Sequence, residues 1–187
     1  VTIFVSRSLW DLVGPVAERF RCEIDTISHE GFASKIEAIL RSPYSESIYL
    51  DCDTVAVQPF AVELFSSLSN FDLCALPGMS LNHDWEVELG RAISQWNTGI
   101  IVLNQKKTAP AVEFWLEHFL RFHSRVVHDQ PSFRLAAIEK HLSVGPLSQD
   151  FNFMGNGYTA EPRILHVTKR RREHVWFKKE TIRNAVF

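Results

Sequence analysis

The chain has 187 residues, of which 45% are hydrophobic and 22% are charged, and its formal net charge at pH 7 is -2. Length and composition are typical of a globular protein, and we predict one domain over residues 1–187. A net charge this small provides no overall attraction to nucleic acid, so we expect no nucleic-acid partner, and no apolar run is long enough to predict a transmembrane segment.

The chain contains three cysteines, at Cys22, Cys52 and Cys74, an odd number without Cys-x-x-Cys spacing. This pattern argues against a disulfide framework and against a structural zinc site. A reducing compartment is the simpler interpretation, and we therefore predict a cytoplasmic location.

Short apolar runs alternate with segments of helical spacing along the chain. The predicted strands are 1–6, 22–27, 47–51, 71–75, 99–104 and 163–167. The predicted helices are 9–20, 32–40, 59–68, 111–122 and 131–141, the first broken or kinked at Gly14-Pro15. The polar, irregular stretch 77–95 predicts a long functional loop. This alternation predicts an α/β domain with a mostly parallel central sheet flanked by helices.

An apolar strand leads directly into two acids, Asp51 and Asp53. Strand side chains alternate with a period of two, so both carboxylates point to one side if the strand continues that far. Neighbouring carboxylates repel unless a cation lies between them, and a hard divalent cation is the natural partner. Because open α/β sheets bind ligands at the carboxyl ends of their strands, we predict a metal site following a central strand. Two solvated acids in a turn remain the alternative interpretation.

Phosphatases of the haloacid-dehalogenase type also place acids at a strand end. They use the first aspartate as the nucleophile and require a downstream lysine and a second acidic pair. The sequence after Asp53 has neither Asp-Asp nor Gly-Asp-x-x-x-Asp, and about fifty residues precede the acidic pair. This class is therefore disfavoured.

Four blocks of sequence, taken in order, resemble the nucleotide-diphospho-sugar transferases of the GT-A fold. The first is 35–65, with Ser-Pro-Tyr before the strand and Asp-x-Asp after it. The second, 96–104 (WNTGIIVLN), is similar to the Asn-Ser/Thr-Gly strand of that family. The third is His128-Asp129-Gln130 before a helix, and the fourth is 164–167 (ILHV), which resembles the strand whose histidine completes the metal site. The resemblance is nearest to the glycogenin-like and bacterial galactosyltransferase-like branch.

The resemblance covers about residues 35–170 and implies the GT-A fold with a hexosyltransferase activity. The donor would be a nucleotide-sugar, a UDP-sugar by expectation, and the acceptor a hydroxyl of a sugar, glycan or other molecule. Residues 1–6 resemble the family's second strand, which leaves open whether its first, base-binding strand is present. A nucleotide-sugar binding module without turnover is therefore an alternative.

The resemblance implies Asp51, Asp53 and His166 as metal ligands. Mn²⁺ is favoured over Mg²⁺ because an imidazole ligand suits a softer ion. Asp51 is also a candidate for contact with the ribose of the donor. For His166, a buried core histidine without a metal is the competing interpretation.

Further donor contacts are implied for Lys35, Asn97, Gly99, Lys169 and Arg170. Lys35 would reach the donor's phosphates or sugar, and Lys169 with Arg170 would clamp the diphosphate. Asn97 would bind sugar hydroxyls, and Gly99 would permit close approach of the backbone.

Asp129 and Gln130 are the candidates for catalysis, because the resemblance places them beside the donor sugar. Asp129 would bind that sugar or stabilise its cationic transition state. A helix N-cap is an equally good interpretation of Asp129, and the two are compatible. Asn152 is a candidate for facing the acceptor, and a turn residue is its simpler interpretation.

Overall fold

The computed structural model describes residues 1–78, 95–122, 128–154 and 161–167. These residues form five α-helices: α1 (Trp10–Arg19), α2 (Phe32–Leu40), α3 (Ala61–Ser66), α4 (Gln105–Phe122) and α5 (Gln130–Glu139). They also form eight strands: β1 (Thr2–Ser6), β2 (Glu23–Ile27), β3 (Glu46–Leu50), β4 (Thr54–Ala56), β5 (Leu73–Pro77), β6 (Trp96–Asn104), β7 (Val144–Pro146) and β8 (Ile164–His166).

The central sheet has four strands in the order β3-β6-β5-β7. Strands β3, β5 and β7 point the same way, and β6 runs antiparallel to both of its neighbours. Helices flank this sheet, so the predicted α/β class is confirmed, with β6 making the sheet mixed. The expectation that a central strand precedes Asp51 was wrong, because β3 lies at one edge of the sheet that the described residues form.

Two apolar layers cover the two faces of the central sheet. One layer packs α2, α4 and α5 against the side chains of Ile101 and Leu103 on β6. The other packs α3 and β8 against Ile100 and Val102 on the same strand. These four side chains of β6 are fully buried. A strand covered on both faces reads as a continuous apolar run, which is why the sequence identified β6 as a strand.

Two smaller pairings complete the described architecture. β1 and β2 form a parallel pair, and β4 and β8 form an antiparallel pair that places Thr54 opposite His166. The β4–β8 pair brings the late histidine to the end of the Asp-x-Asp turn. β4 and β7, of three residues each, were not predicted.

Two element boundaries differ from the sequence prediction. α1 continues through Gly14 and Pro15, so the helix is not broken there. Pro15 lies in the second turn, where it cannot donate the helical hydrogen bond of a backbone N–H. β6 begins at Trp96, earlier than predicted, so that Asn97 lies on a strand.

Most of the predicted loop at 77–95 lies outside the described residues. Among the residues that are described, no helix is both long enough and apolar enough to cross a membrane.

Candidate functional site

A tight turn after β3 brings the two acids of the Asp-x-Asp together. The backbone N–H of Asp51 donates to the carbonyl of Gly99 at 2.8 Å, which holds Asp51 against β6. The backbone N–H of Thr54 then donates to the Asp51 carbonyl at 3.1 Å, and the Thr54 hydroxyl donates to the same oxygen at 2.8 Å. The strand therefore ends before Asp53, and the turn, instead of strand alternation, sets the positions of the carboxylates.

His166 lies directly against these two carboxylates. Its Nε2 is 3.1 Å from Oδ1 of Asp53 and 3.8 Å from Oδ2 of Asp51. The β4–β8 pairing fixes this approach, and the backbone N–H of Val167 donates to the Asp53 carbonyl at 2.7 Å. One potential ligand atom from each of the three side chains lies within 4.8 Å of the others. The sequence resemblance predicted that His166 and Asp53 lie close enough to bind one ion together. Their distance in the structure confirms this proximity.

The chemistry of these three side chains suits a divalent cation. Two carboxylates and one imidazole form a mixed oxygen and nitrogen donor set, which first-row metals accept. Burial raises the pKa of Asp51, while Lys35, Tyr49 and His166 act to lower it. The Asp53 side chain is 40% exposed, so the group opens toward solvent on that side. The residues present therefore fit a metal ion.

The ring of His166 packs over the backbone of Gly99. A Cβ at position 99 would lie 2.3 Å from Cε1 of His166, closer than any real contact. We expected this glycine to give the donor close access to the backbone, and the space a side chain would need is instead occupied by the imidazole. Residue 99 must be glycine for His166 to reach the acids.

Asn97 and Asn152 form hydrogen bonds within the protein. Oδ1 of Asn97 accepts from the backbone N–H of Gly99 at 2.9 Å and from Nδ2 of Asn152 at 2.8 Å. Asn152 is only 1% exposed, and its Oδ1 lies 2.9 Å from Nδ1 of His166. Asn152 therefore contacts the back of the histidine, which corrects the expectation that it faces the acceptor. The donor contact expected for Asn97 stays a prediction.

Lys35 lies in a second, buried cluster on the other side of Asp51. Its Nζ is 3.1 Å from Oγ1 of Thr98, 3.2 Å from Oδ2 of Asp129 and 3.4 Å from Oδ1 of Asp51. Lys35 is 7% exposed, Asp129 is 1% exposed and Thr98 is fully buried. One lysine thus bridges two carboxylates that are 78 positions apart in the sequence.

Asp129 precedes α5 without capping it through its side chain. Its carboxylate instead accepts from the Thr98 hydroxyl at 2.7 Å, and its carbonyl accepts from the indole N–H of Trp115 at 3.0 Å. Asp129 therefore occupies the predicted N-cap position, but its side chain does not cap the helix, because a lysine and a hydroxyl bind the carboxylate. Gln130 is the half-buried first residue of α5. Lys169 and Arg170 lie outside the described residues.

Sequence reasoning missed two residues of this region, Tyr49 and Thr98. The Tyr49 hydroxyl donates to Oδ1 of Asp51 at 2.8 Å, and burial together with that carboxylate raises the pKa of Tyr49. Strand alternation could have indicated Tyr49, since it lies two positions before Asp51. Thr98 occupies the Ser/Thr position of the Asn-Ser/Thr-Gly motif, but nothing local indicated its partners, which come from distant parts of the chain.

Comparison with known proteins identifies the fold. No protein-family model and no curated protein sequence matches the chain. Among solved structures it is similar to mouse xyloside xylosyltransferase 1, with 14% identity and a TM-score of 0.60 over 90% of this chain and 84% of that one. It is similar to the galactosyltransferase LgtC, with 14% identity and a TM-score of 0.56 over 78% and 66%.

The glycosyltransferase GlyE of Streptococcus pneumoniae TIGR4 is also similar, with 12% identity and a TM-score of 0.65. That match covers 100% of this chain, which spans about half (52%) of the length of GlyE. The chain therefore has the GT-A fold, the fold of these glycosyltransferases.

Proposed function

We propose that this chain is a metal-dependent glycosyltransferase that moves a sugar from a nucleotide diphosphate donor, a UDP-sugar, to an acceptor hydroxyl. The observation that carries the proposal is the meeting of Asp51, Asp53 and His166 at a strand end of a GT-A fold. The similar solved structures support it, since all three are named as glycosyltransferases.

Asp51, Asp53 and His166 would hold Mn²⁺, or Mg²⁺ in its place. When bound, such an ion supplies positive charge and Lewis acidity to the departing diphosphate. Asp53, the most exposed of the three side chains, lies on the side from which a donor would approach. Lys169 and Arg170 are proposed to add cations at the diphosphate, as the sequence resemblance implies.

The buried cluster around Lys35 would position the acids of the site. Lys35 and the Tyr49 hydroxyl both contact Oδ1 of Asp51, which leaves Oδ2 facing His166, where it would be available to hold an ion. Asp129 holds Lys35 from the other side. We propose that Asp129 and Gln130 lie beside the donor sugar, where a carboxylate stabilises developing positive charge.

The location and the other partners stay predictions. We propose a cytoplasmic protein that acts as a single domain over residues 1–187 and binds no nucleic acid. The phosphatase alternative rested only on the two acids at a strand end. The GT-A fold argues against it. A binding module without turnover differs from the proposed enzyme in catalysis alone.

The proposal is tested by the melting temperature of the protein with UDP, in Mn²⁺ and in EDTA. A ligand at 100 times its Kd stabilises by about 2.7 kcal/mol, or roughly 5–10 °C in a domain of this size. We expect that increase in Mn²⁺ and none in EDTA. An equal increase in EDTA would mean that UDP binds without the ion.

Two matched variants locate the site in the same assay. Asp53→Asn should abolish the increase caused by UDP in Mn²⁺, since it removes one charged ligand. Glu63→Gln should leave the increase unchanged. It neutralises an exposed carboxylate on α3 that pairs with Arg163. Hydrolysis of UDP-sugar by the wild type would identify an enzyme, and binding without hydrolysis in the presence of acceptors would identify a binding module.

A further inference from the structure

A line of hydrogen-bonding groups runs behind His166, opposite the two aspartates. The backbone N–H of Gly99 donates to Oδ1 of Asn97 at 2.9 Å. The same oxygen lies 2.8 Å from Nδ2 of Asn152, and Oδ1 of Asn152 lies 2.9 Å from Nδ1 of His166. The line therefore connects a main-chain group of β6 to the imidazole through two side-chain amides.

The direction of every hydrogen bond in this line follows from its first member. A backbone N–H can only donate, so the atom of Asn97 that it meets must be the carbonyl oxygen. The atom of Asn152 that shares this oxygen must then be its amide nitrogen, which places the Asn152 oxygen against the imidazole. That oxygen can only accept, so Nδ1 of His166 must carry a hydrogen.

A neutral imidazole with its hydrogen on Nδ1 has its free electron pair on Nε2. Nε2 is the atom that lies 3.1 Å from Asp53. Without the line of amides, the Asp53 carboxylate would favour a hydrogen on Nε2, where it blocks a metal ion. The amides behind the ring thus oppose the tautomer that the nearby acid favours.

The surroundings keep this arrangement fixed. Asn152 is 1% exposed and His166 is 6% exposed, so water has little access to these side chains and does not readily replace their hydrogen bonds. The backbone N–H of His166 donates to the carbonyl of Phe153 at 2.9 Å, and the N–H of Phe153 donates to Ile164 at 3.0 Å. The two side chains are therefore attached to backbone segments that are hydrogen-bonded to each other.

We infer that Asn152 is a positioning residue that holds His166 in the metal-binding tautomer, with its own orientation set by Gly99 through Asn97. The inference rests on the proposed metal site and deepens it. Removing such a partner of a metal-binding histidine typically weakens metal affinity by about 10–100-fold.

The tautomer is measured directly on metal-free wild-type protein. Long-range ¹H–¹⁵N correlation spectra of ¹⁵N-histidine protein at alkaline pH separate the two neutral tautomers, and His166→Ala assigns the signal by its loss. We expect the hydrogen on Nδ1. A hydrogen mainly on Nε2 would overturn the inference, and this measurement does not depend on the folding of any Asn152 variant.

The second measurement is Mn²⁺ binding, followed by electron paramagnetic resonance of the free ion. Asn152→Leu keeps the number and branching of the side-chain heavy atoms and removes both hydrogen bonds, and we expect Mn²⁺ affinity to fall about 10–100-fold. Thr108→Val is the matched control, because Thr108 is a fully buried side chain that donates to the carbonyl of Asn104 away from the site. Its Mn²⁺ affinity should equal that of the wild type.

The outcomes separate the two proposals. Wild-type protein that does not bind Mn²⁺ would defeat the proposed metal site and this inference with it. Wild-type protein that binds Mn²⁺, together with an Asn152→Leu variant that binds equally well, would overturn only the positioning role of Asn152.

Discussion

The two oxygens of Asp51 face two different environments. Oδ1 contacts the Tyr49 hydroxyl and the Lys35 ammonium, within a cluster that continues to Asp129. Oδ2 faces His166, beside the half-exposed Asp53. On the Lys35 side the carboxylates have an internal cation, whereas on the His166 side no lysine or arginine within the described ranges pairs with Asp53.

The difference lies in whether the protein itself supplies the cation. A buried carboxylate is costly unless a partner neutralises it, and Lys35 is that partner for Asp129. On the His166 side Asp53 has no such partner, and Asp51 shares Lys35 with Asp129, so an external cation would supply the missing charge. The comparison predicts that changes on the Lys35 side affect stability most, and changes on the His166 side affect metal binding most.

The largest effect is expected from Lys35→Met. It leaves the buried carboxylate of Asp129 without its cation, and breaking a buried pair in this way costs about 3–5 kcal/mol. In a domain of this size the melting temperature should fall by roughly 6–20 °C. Adding Asp129→Asn to the variant should recover part of the loss, since it removes the unpaired charge. A loss of unfolding free energy below about 1 kcal/mol would show that water solvates the Lys35 side. It would contradict the difference drawn between the two sides of Asp51.

Gly99→Ala tests the packing on the His166 side. The added methyl group would lie 2.3 Å from Cε1 of the imidazole, so the ring or the strand must move. Overpacking of this kind costs about 1–3 kcal/mol, and displacing His166 should also weaken Mn²⁺ binding. Chemical denaturation and Mn²⁺ titration measure the two effects.

Gly14→Ala is the control for Gly99→Ala. Gly14 lies within α1, and nothing lies within 4 Å of the position its Cβ would take. This variant should be stabilised by about 0.4–1 kcal/mol with Mn²⁺ affinity unchanged. Equal stability for the two alanine variants would contradict the close packing of His166.

A pH series tests Glu37, a second buried acid on α2, whose charged form is also stabilised by groups of the protein itself. Burial acts to raise the pKa of Glu37, but hydrogen bonds from His29, Ser28 and Arg41 outweigh it and hold the pKa at about 2, below the ordinary 4.5. The folded state thus binds this proton less readily than the unfolded state. The stabilisation is complete above pH 4.5 and is lost as the pH falls toward about 2.

The corresponding variant is Glu37→Gln. The difference in unfolding free energy between wild type and variant should shrink by on the order of 1–3 kcal/mol between pH 6 and pH 2. Denaturant unfolding at each pH measures it. A difference that does not change with pH would mean that Glu37 has an ordinary pKa.

The smallest effect is expected from Asp53→Asn without metal. Its carboxylate is 40% exposed and lies next to another acid, so removing its charge should change stability by less than about 1 kcal/mol, toward higher stability if at all. Thermal unfolding in EDTA measures this change. A large destabilisation would indicate that the Asp53–His166 contact holds the fold together, as an ion pair and not as a ligand site.

The sequence predicted the elements whose pattern is local. The apolar run of β6 and the helical spacing of α2 were visible in the chain itself, as was the strand end at Asp51. The partners across the fold were accessible only through the family resemblance, which correctly indicated that His166 reaches Asp53.

What the sequence did not predict depends on distant contacts. Asn152 contacts His166 only because the β4–β8 pair and the residues around Phe153 bring their segments together. The exclusion of a side chain at Gly99 likewise arises from a ring 67 positions away. Neither relation leaves a periodic pattern in the chain.

The most direct test of the account is the position of the ion. A crystal structure with Mn²⁺ and UDP, with anomalous scattering recorded at the manganese edge, locates the metal without assumptions about activity. We expect one peak in contact with carboxylate oxygens of Asp51 and Asp53 and with Nε2 of His166, each at about 2.0–2.5 Å. UDP bound without a peak at these three side chains, or a peak elsewhere, would contradict the metal-dependent donor site.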